Sequence, residues 1–185
     1  MKTHDFNNSI VLGDQGEEIM RQWLLSRPNV AKVESVASDP KYQHQDIDFL
    51  VTTTQNTTYT VEVKTDAYIT GNIFFETLSN VEAKVPGCMY KTKADFLLYY
   101  FINPRYDKVY MIRMQDYRDW FKKAYKEMPK HFTEKTFLNK GNEKRKDYHS
   151  RGYTISLAFL EKDFKHYRKF TDIRKSLNIP LPKTA

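Results

Sequence analysis

The chain has 185 residues and a mass of 22.0 kDa, room for one ordinary domain, since domains cluster near ~100–150 residues. Hydrophobic residues make up 40% and aromatic residues 15%, with a mean hydropathy of −0.70; that is enough apolar material for a core inside a polar skin, and it excludes whole-chain disorder. Lys and Arg number 30 against 23 Asp and Glu, a net charge of +7, which favours polyanionic partners. The imbalance is uneven: residues 1–100 hold 9 basic against 13 acidic side chains, a balance of −4, and residues 101–185 hold 21 against 10, a balance of +11. Acidic chemistry is therefore expected in the first half and a polyanion-holding surface mostly in the second. A single cysteine, Cys88, forms no intramolecular disulfide and is read as structural. His44, His131, His149 and His166 show no zinc-ligand spacing. With no signal-like apolar stretch and no window of ~20 apolar residues, the expectation is an intracellular protein of a reducing cytoplasm, bacterial or in a phage-infected cell, neither secreted nor in a membrane.

In chain order, the helical spacing of Leu12, Ile19, Met20, Trp23 and Leu24 predicts a helix over 9–26 that Pro28 closes. Strands are predicted at 30–36, 46–52, 58–64, 72–77, 95–102 and 108–114, each rich in Val, Ile, Phe and Tyr and separated by Gly, Asn, Pro or Asp. A helix over 115–128 ends at Pro129. Residues 130–152, which include GNEKRKDYHSRG, lack periodicity and read as an exposed loop that a ligand could order. YTISLAFL at 153–160 reads as a last strand, and EKDFKHYRKF begins a basic terminal helix. The sum is an α+β chain read as one domain over 1–185, with a core of about 9–114 and a basic helical and strand extension of about 115–185.

Chemistry enters through four positions: Glu17, Asp48, Glu62 and Lys64. Side chains alternate along a strand, so TYTVEVK sets Glu62 and Lys64 on one face and Val61 and Val63 on the other. The same alternation in DIDFLV pairs Asp46 with Asp48, opposite Ile47, Phe49 and Val51. If the two strands form a hairpin, Asp48 shares a face with Glu62 when 48 stands opposite 62. A three-residue loop of Thr54, Gln55 and Asn56, with Asn56 left-handed, gives that register. A two-residue turn at Gln55 and Asn56 puts the acids on opposite faces unless a bulge intervenes. On the first helix, at ~100° per residue, Glu17 sits at the edge of the apolar face and Glu18 points nearly away. Gly16 lies near the centre of that face, where a missing side chain lets helix and sheet come close.

Three converging carboxylates repel one another, and unpaired buried charge is costly; a divalent cation resolves the conflict. Oxygen ligands without His or Cys point to Mg²⁺, with Mn²⁺ as substitute, rather than zinc. Lys64 would orient or deprotonate a water or stabilise charge on a phosphate.

The order of helix Glu (GDQGEE), Asp (QDIDFLV) and Glu-x-Lys (VEVKT) resembles the PD-(D/E)XK nuclease superfamily over roughly residues 9–102. The resemblance implies a restriction-endonuclease-like α/β/α sandwich around a small mixed sheet. It implies Asp48, Glu62 and the Val63 carbonyl as metal ligands, Lys64 as catalytic lysine and Glu17 as the helix-borne acid. No proline precedes Asp48, a departure from the family's pattern. Asp46 is a further acid that could share or take over the role of Asp48, and Glu76 is a secondary candidate for an outer or substrate-positioning acid. The implied activity is Mg²⁺-dependent hydrolysis of phosphodiester bonds in DNA, from an end or internally, such as recombination, repair, restriction or phage DNA processing employs. RNA is left open as a substrate, and a homodimer would suit cutting of two strands.

For phosphate contact the sequence offers Lys140, Lys144, Lys146, Arg145 and Arg151 around the charged segment, and Lys91 with Lys93 beside Tyr90. Charge runs of this kind are usually solvated loops, and a lone Glu-x-Lys is usually a solvated strand face. The 13 Tyr and 12 Phe could stack on unpaired bases, although most sit at core spacing. Two other readings stand beside the nuclease: a catalytically inactive nucleic-acid-binding module on the same fold, and a glycosyltransferase using Asp46-Ile47-Asp48 as an Asp-x-Asp metal motif, for which the chain is short and Glu62 and Lys64 have no use.

Overall fold

The periodicities are realised as alternating strands and helices in a computed structural model, whose described residues are 3–4, 6–103, 106–141 and 146–180, with side chains from Val11 onward. In chain order these are β1 (Thr3–His4), α1 (Phe6–Leu25), β2 (Val30–Ser35), α2 (Pro40–Gln43), β3 (Phe49–Thr53), β4 (Thr58–Asp66), β5 (Asn72–Asn80), β6 (Val85–Pro86), α3 (Cys88–Lys91), β7 (Phe96–Asn103), β8 (Tyr106–Arg113), α4 (Met114–Glu127), β9 (Phe132–Asn139), β10 (Tyr148–Ser156), α5 (Leu157–Asp163), β11 (Tyr167–Thr171) and α6 (Ile173–Ser176). The fold is α+β, with one five-stranded and one six-stranded sheet. Among the described residues no helix is long and apolar enough to cross a membrane.

The chain divides into two compact units. One comprises residues 12–69, 93–115 and 166–185 and contains the six-stranded sheet, ordered β11-β8-β7-β4-β3-β2. Every neighbouring pair in it is antiparallel except β4 with β7, which is parallel. Alternation decides its faces: Phe49, Val51, Val61, Val63, Leu98, Tyr100, Ile102 and Val109 point one way and meet Ile19, Met20, Trp23 and Leu24 of α1. A polar cluster ties β7 and β8 to α6. The Tyr100 hydroxyl donates to Asp107 Oδ1 at 2.8 Å, the Arg174 amide donates to Asp107 Oδ2 at 2.8 Å, and Arg174 Nε lies 3.4 Å from Asp107 Oδ1.

The other unit comprises residues 1–11, 70–92 and 116–165 and contains the sheet β1-β9-β10-β5-β6. Its core is aromatic. Phe75 of β5 stacks on Tyr117 of α4 at 3.9 Å between ring centroids, and Trp120, Phe121, Phe132 and Phe164 continue the cluster.

Three expectations fail in the second half of the chain. Residues 130–152 are not one exposed loop: they contain β9 and the start of β10, paired from Tyr148↔Asn139 to Ile155↔Phe132. Residues 153–160 are not one strand, because Ser156 Oγ accepts the Phe159 amide at 3.2 Å and caps α5. EKDFKHYRKF is not helical beyond Asp163: the Phe164 amide bonds Leu160 O at 2.9 Å as a C-cap, and Tyr167–Thr171 pair antiparallel with β8. Helix α2 was unread, although Asp39 caps it by accepting the Lys41 amide at 2.9 Å and Pro40 stands at its start.

Candidate functional site

The hairpin β3–β4 carries the site, and its loop sets which side chains meet. Thr53 N donates to Thr57 O at 2.8 Å, Asn56 N donates to Thr53 O at 3.0 Å, and Asn56 has φ +59°. This is the three-residue loop of Thr54, Gln55 and Asn56, with Asn tolerating the left-handed conformation better than most residues. The resulting register runs Phe49↔Val61 to Thr52↔Thr58, and Asp48, just before it, has its carboxyl hydrogen-bonded with that of Glu62.

Asp48 lies one residue before β3 and leaves the regular ladder. Its amide donates to Val61 O at 2.9 Å, its carbonyl accepts the Val36 amide at 2.8 Å, and its Oδ2 accepts the Val63 amide at 2.7 Å. The carboxylate thus takes the place of a strand carbonyl just before β3 begins. Because N–H and C=O of a strand residue face the same neighbour, the Val63 carbonyl is directed to this same side. Asp46 does not share a strand face with Asp48, as alternation had suggested, because residues 46–48 precede the strand and Asp46 has φ +47°. It remains close enough that its charge raises the pKa of both Asp48 and Glu62.

Glu62 is 4% exposed. Its Oε1 lies 3.4 Å from Lys64 Nζ, and the Lys64 side chain is 42% exposed, reaching from the buried acid toward water. Burial pushes the Glu62 carboxyl well above the ordinary range; the Lys64 charge opposes this, and the charges of Asp48 and Asp46 add to it. Asp48 is also raised, by burial first, against the Val63 amide, the Lys64 charge and a hydrogen bond with Glu62. Glu17 is pushed up to about 7, by burial, then by Asp48 and Asp14, with Lys64 opposing. The Asp48 charge thus opposes ionisation of both Glu17 and Glu62, and Lys64 is the cation that all three carboxyls feel.

Helix α1 is seated by Gly16. It is buried, and a Cβ there would come within 1.8 Å of Thr65 Oγ1 on β4. The bare backbone lets α1 lie against β4, and Glu17, the next residue, is brought within reach of Asp48 and Lys64. Glu18 points away and pairs with Arg21 at 2.8 Å.

The remaining sequence candidates are dispersed. Glu76 belongs to β5, opposite Gly152 of β10, in the unit that holds neither Asp48 nor Glu62. Lys93 is exposed and belongs to the unit of the acids; its amide bonds Gln45 O at 2.8 Å, tying β7's approach to the segment of Asp46. Lys91 ends α3, half-buried. Lys140 pairs with Asp147 at 2.7 Å, and Asp147 Oδ1 accepts the Gly141 amide at 2.9 Å, so this lysine closes its own loop. Lys146 is exposed, and Arg151 Nε lies 4.0 Å from Glu134. Lys144 and Arg145 lie outside the described residues.

Three neighbours of the site went unread. Tyr99 of β7 stands opposite Lys64 in the parallel register, is 5% exposed, and donates its hydroxyl to Asp66 Oδ2 at 3.0 Å. The signal for Asp66 was the continuation of the Glu62, Lys64 alternation by one more step; Tyr99 needed the β4–β7 pairing. Asp14 lies one turn before Glu17 and raises its pKa.

Among the described residues no group of three or more His, Cys, Asp and Glu forms a metal cage. The donors gathered at this place are two carboxylates, Asp48 and Glu62, with a strand carbonyl beside them, an all-oxygen set of the kind that suits Mg²⁺ or Mn²⁺ bound together with waters and a phosphate. No protein-family model, curated protein or solved structure matches the chain.

Proposed function

We propose that the chain is a metal-dependent nuclease that hydrolyses phosphodiester bonds in DNA, on a core of the restriction-endonuclease-like α/β/α type. The observation that supports this reading is local geometry at the end of the β3–β4 hairpin: Asp48 Oδ2 accepts the Val63 amide at 2.7 Å, next to Glu62, and Lys64 Nζ lies 3.4 Å from Glu62 Oε1. The mixed sheet, with its single parallel pair β4–β7 and α1 against one face, supports the fold reading.

Asp48, Glu62 and the Val63 carbonyl would hold the cation, with Glu17 and Asp46 adding negative charge around it. A bound Mg²⁺ or Mn²⁺ supplies polarisation of the phosphate and a more acidic water. Lys64, anchored by Glu62 and open to solvent, lies where it can orient an attacking water or meet charge developing on a phosphate oxygen. Glu17, with a pKa of about 7, is poised to take up or release a proton near neutral pH. The Val63 amide fixes the Asp48 carboxylate at 2.7 Å, so one ligand is preorganised by the backbone.

Incubation of the purified chain with plasmid, single-stranded and branched DNA in Mg²⁺ should cleave at least one of them, and Lys64→Ala and Glu62→Gln should abolish the cutting. Cleavage of none, or full activity in Lys64→Ala, overturns the reading.

A further inference from the structure

We propose that Tyr90, Tyr125 and Tyr153 form a stacking site for an unpaired base of single-stranded nucleic acid. All three belong to the unit of residues 1–11, 70–92 and 116–165. The aromatic core of that unit is completed by buried rings, Tyr117, Phe121, Phe132 and Phe164. Tyr125 is one step beyond it: its ring lies nearly parallel to Phe121, 10° between planes and 5.7 Å between centroids, yet Tyr125 is 41% exposed. The stack therefore ends at the surface, with Phe121 and Phe132 packed behind its last member.

Tyr153 of β10 forms the second wall. Its ring meets Tyr125 at 5.1 Å and 61°, and its hydroxyl lies 3.3 Å from that of Tyr125 and 3.5 Å from Glu134 Oε2. Tyr90 of α3 is 56% exposed; the Gly87 amide before α3 donates to Thr77 O of β5 at 2.9 Å, and the neighbouring Glu76 stands opposite Gly152, the residue before Tyr153. Packing of Tyr125 and Tyr153 against each other fixes both rings before any ligand arrives, so little side-chain freedom is lost on binding.

Charge selects the occupant. Lys122 lies one turn before Tyr125 on α4 and is exposed, Lys126 follows Tyr125 and is exposed, and Lys91 follows Tyr90. Arg151 shares the Tyr153 face of β10 and offsets Glu134 at 4.0 Å. By sequence this unit holds 16 basic against 11 acidic residues, a balance of +5. Aromatic faces exposed among cations suit bases whose own faces are free, with phosphates between them; in a duplex those faces are already stacked on one another. The site needs neither Mg²⁺ nor the Asp48 and Glu62 carboxylates, and that the bound strand is also the one cut rests on the nuclease reading.

Fluorescence anisotropy of a short labelled oligothymidylate with the full chain, in EDTA, tests the site. The expected result is tighter binding of the oligothymidylate than of a duplex or an abasic strand of equal length. Tyr125→Ala and Tyr90→Ala should each weaken it by roughly tenfold, whereas the conservative Tyr125→Phe, which keeps the ring, should retain the binding. Both alanine variants remove exposed rings, and their melting temperatures serve as the control for folding. Equal affinity for the abasic strand or the duplex, or unchanged binding in Tyr125→Ala, overturns the proposal. Because cleavage is measured separately in Mg²⁺, either reading can fail without the other.

Discussion

Two hairpins in this molecule are built on opposite terms. In β3–β4 a three-residue loop with a left-handed Asn56 locks the register, and Phe49, Val51, Val61 and Val63 are all buried while Glu62 is buried on the other face. In β9–β10 the strands are joined through residues 140–147, and of β9 only Phe132 is buried. A strand buried on both faces has its register enforced by every side chain; one mostly in water is held by its backbone ladder and tolerates polar residues at nearly every position. The first kind announces itself in the sequence and the second does not.

The comparison breaks most sharply at the acids. Asp48→Asn, Glu62→Gln or Lys64→Ala should each lower the Mg²⁺-dependent cleavage rate by about 10²–10⁴-fold, whereas Lys140→Ala at the second hairpin should stay near wild type; single-turnover cleavage of the preferred DNA measures both. Deletion of Gln55 leaves a two-residue turn, which moves Asp48 to the face opposite Glu62, and should remove the same activity. Two glycines inserted after Gly141, between β9 and β10, should cost under about 0.6 kcal/mol in urea unfolding, since loop closure depends weakly on length.

Smaller effects probe the packing beneath the first hairpin. Gly16→Ala should cost about 1–3 kcal/mol through overpacking, because the new Cβ meets Thr65 Oγ1 at 1.8 Å. Thr65→Ala in the same chain should return part of this, as measured by a double-mutant cycle in urea. Asn56→Ala should cost about 1–2 kcal/mol, the strain of a left-handed residue with a plain Cβ, and Asn56→Gly should cost less.

The mildest test is pH. Glu17 holds its proton up to about 7 in the folded chain against an ordinary value of 4.5, so between those values the folded state binds more protons than the unfolded one. Stability of the metal-free protein should therefore fall as pH rises from about 4.5 to about 7. This is opposite to the usual carboxylate trend. Melting temperatures in EDTA should show a shallower slope in Glu17→Gln, and added Mg²⁺ should raise the melting temperature most at the alkaline end, where the acids are ionised.

Legibility followed the same division. The three-residue loop was one of two turns the sequence allowed, and the placing of Gly16 and the outward face of Glu18 were readable, because each depends on periodicity within one or two elements. Asp46 was misread because its left-handed backbone interrupts the alternation on which the reading stood. Strands β9 and β11 were missed because their burial comes from partners far along the chain: Tyr167 reads as helical among EKDFKHYRKF until Ile112 is placed opposite it. Tyr99 was hidden for the same reason, since only the parallel pairing with β4 brings it beside Lys64.

That parallel pairing also orders events in time. Phe49 and Val61 can meet as soon as a three-residue loop closes, a local step on the scale of ~1–10 μs for hairpins. Leu97, which stands opposite Glu62 on the other side of β4, must arrive across residues 67–95, including the β5–β6 hairpin of the other unit. Non-local pairings of this kind dominate folding rates. The same docking that joins β4 to a strand from far along the chain sets Leu97 opposite Glu62, and burial is what raises the Glu62 carboxyl.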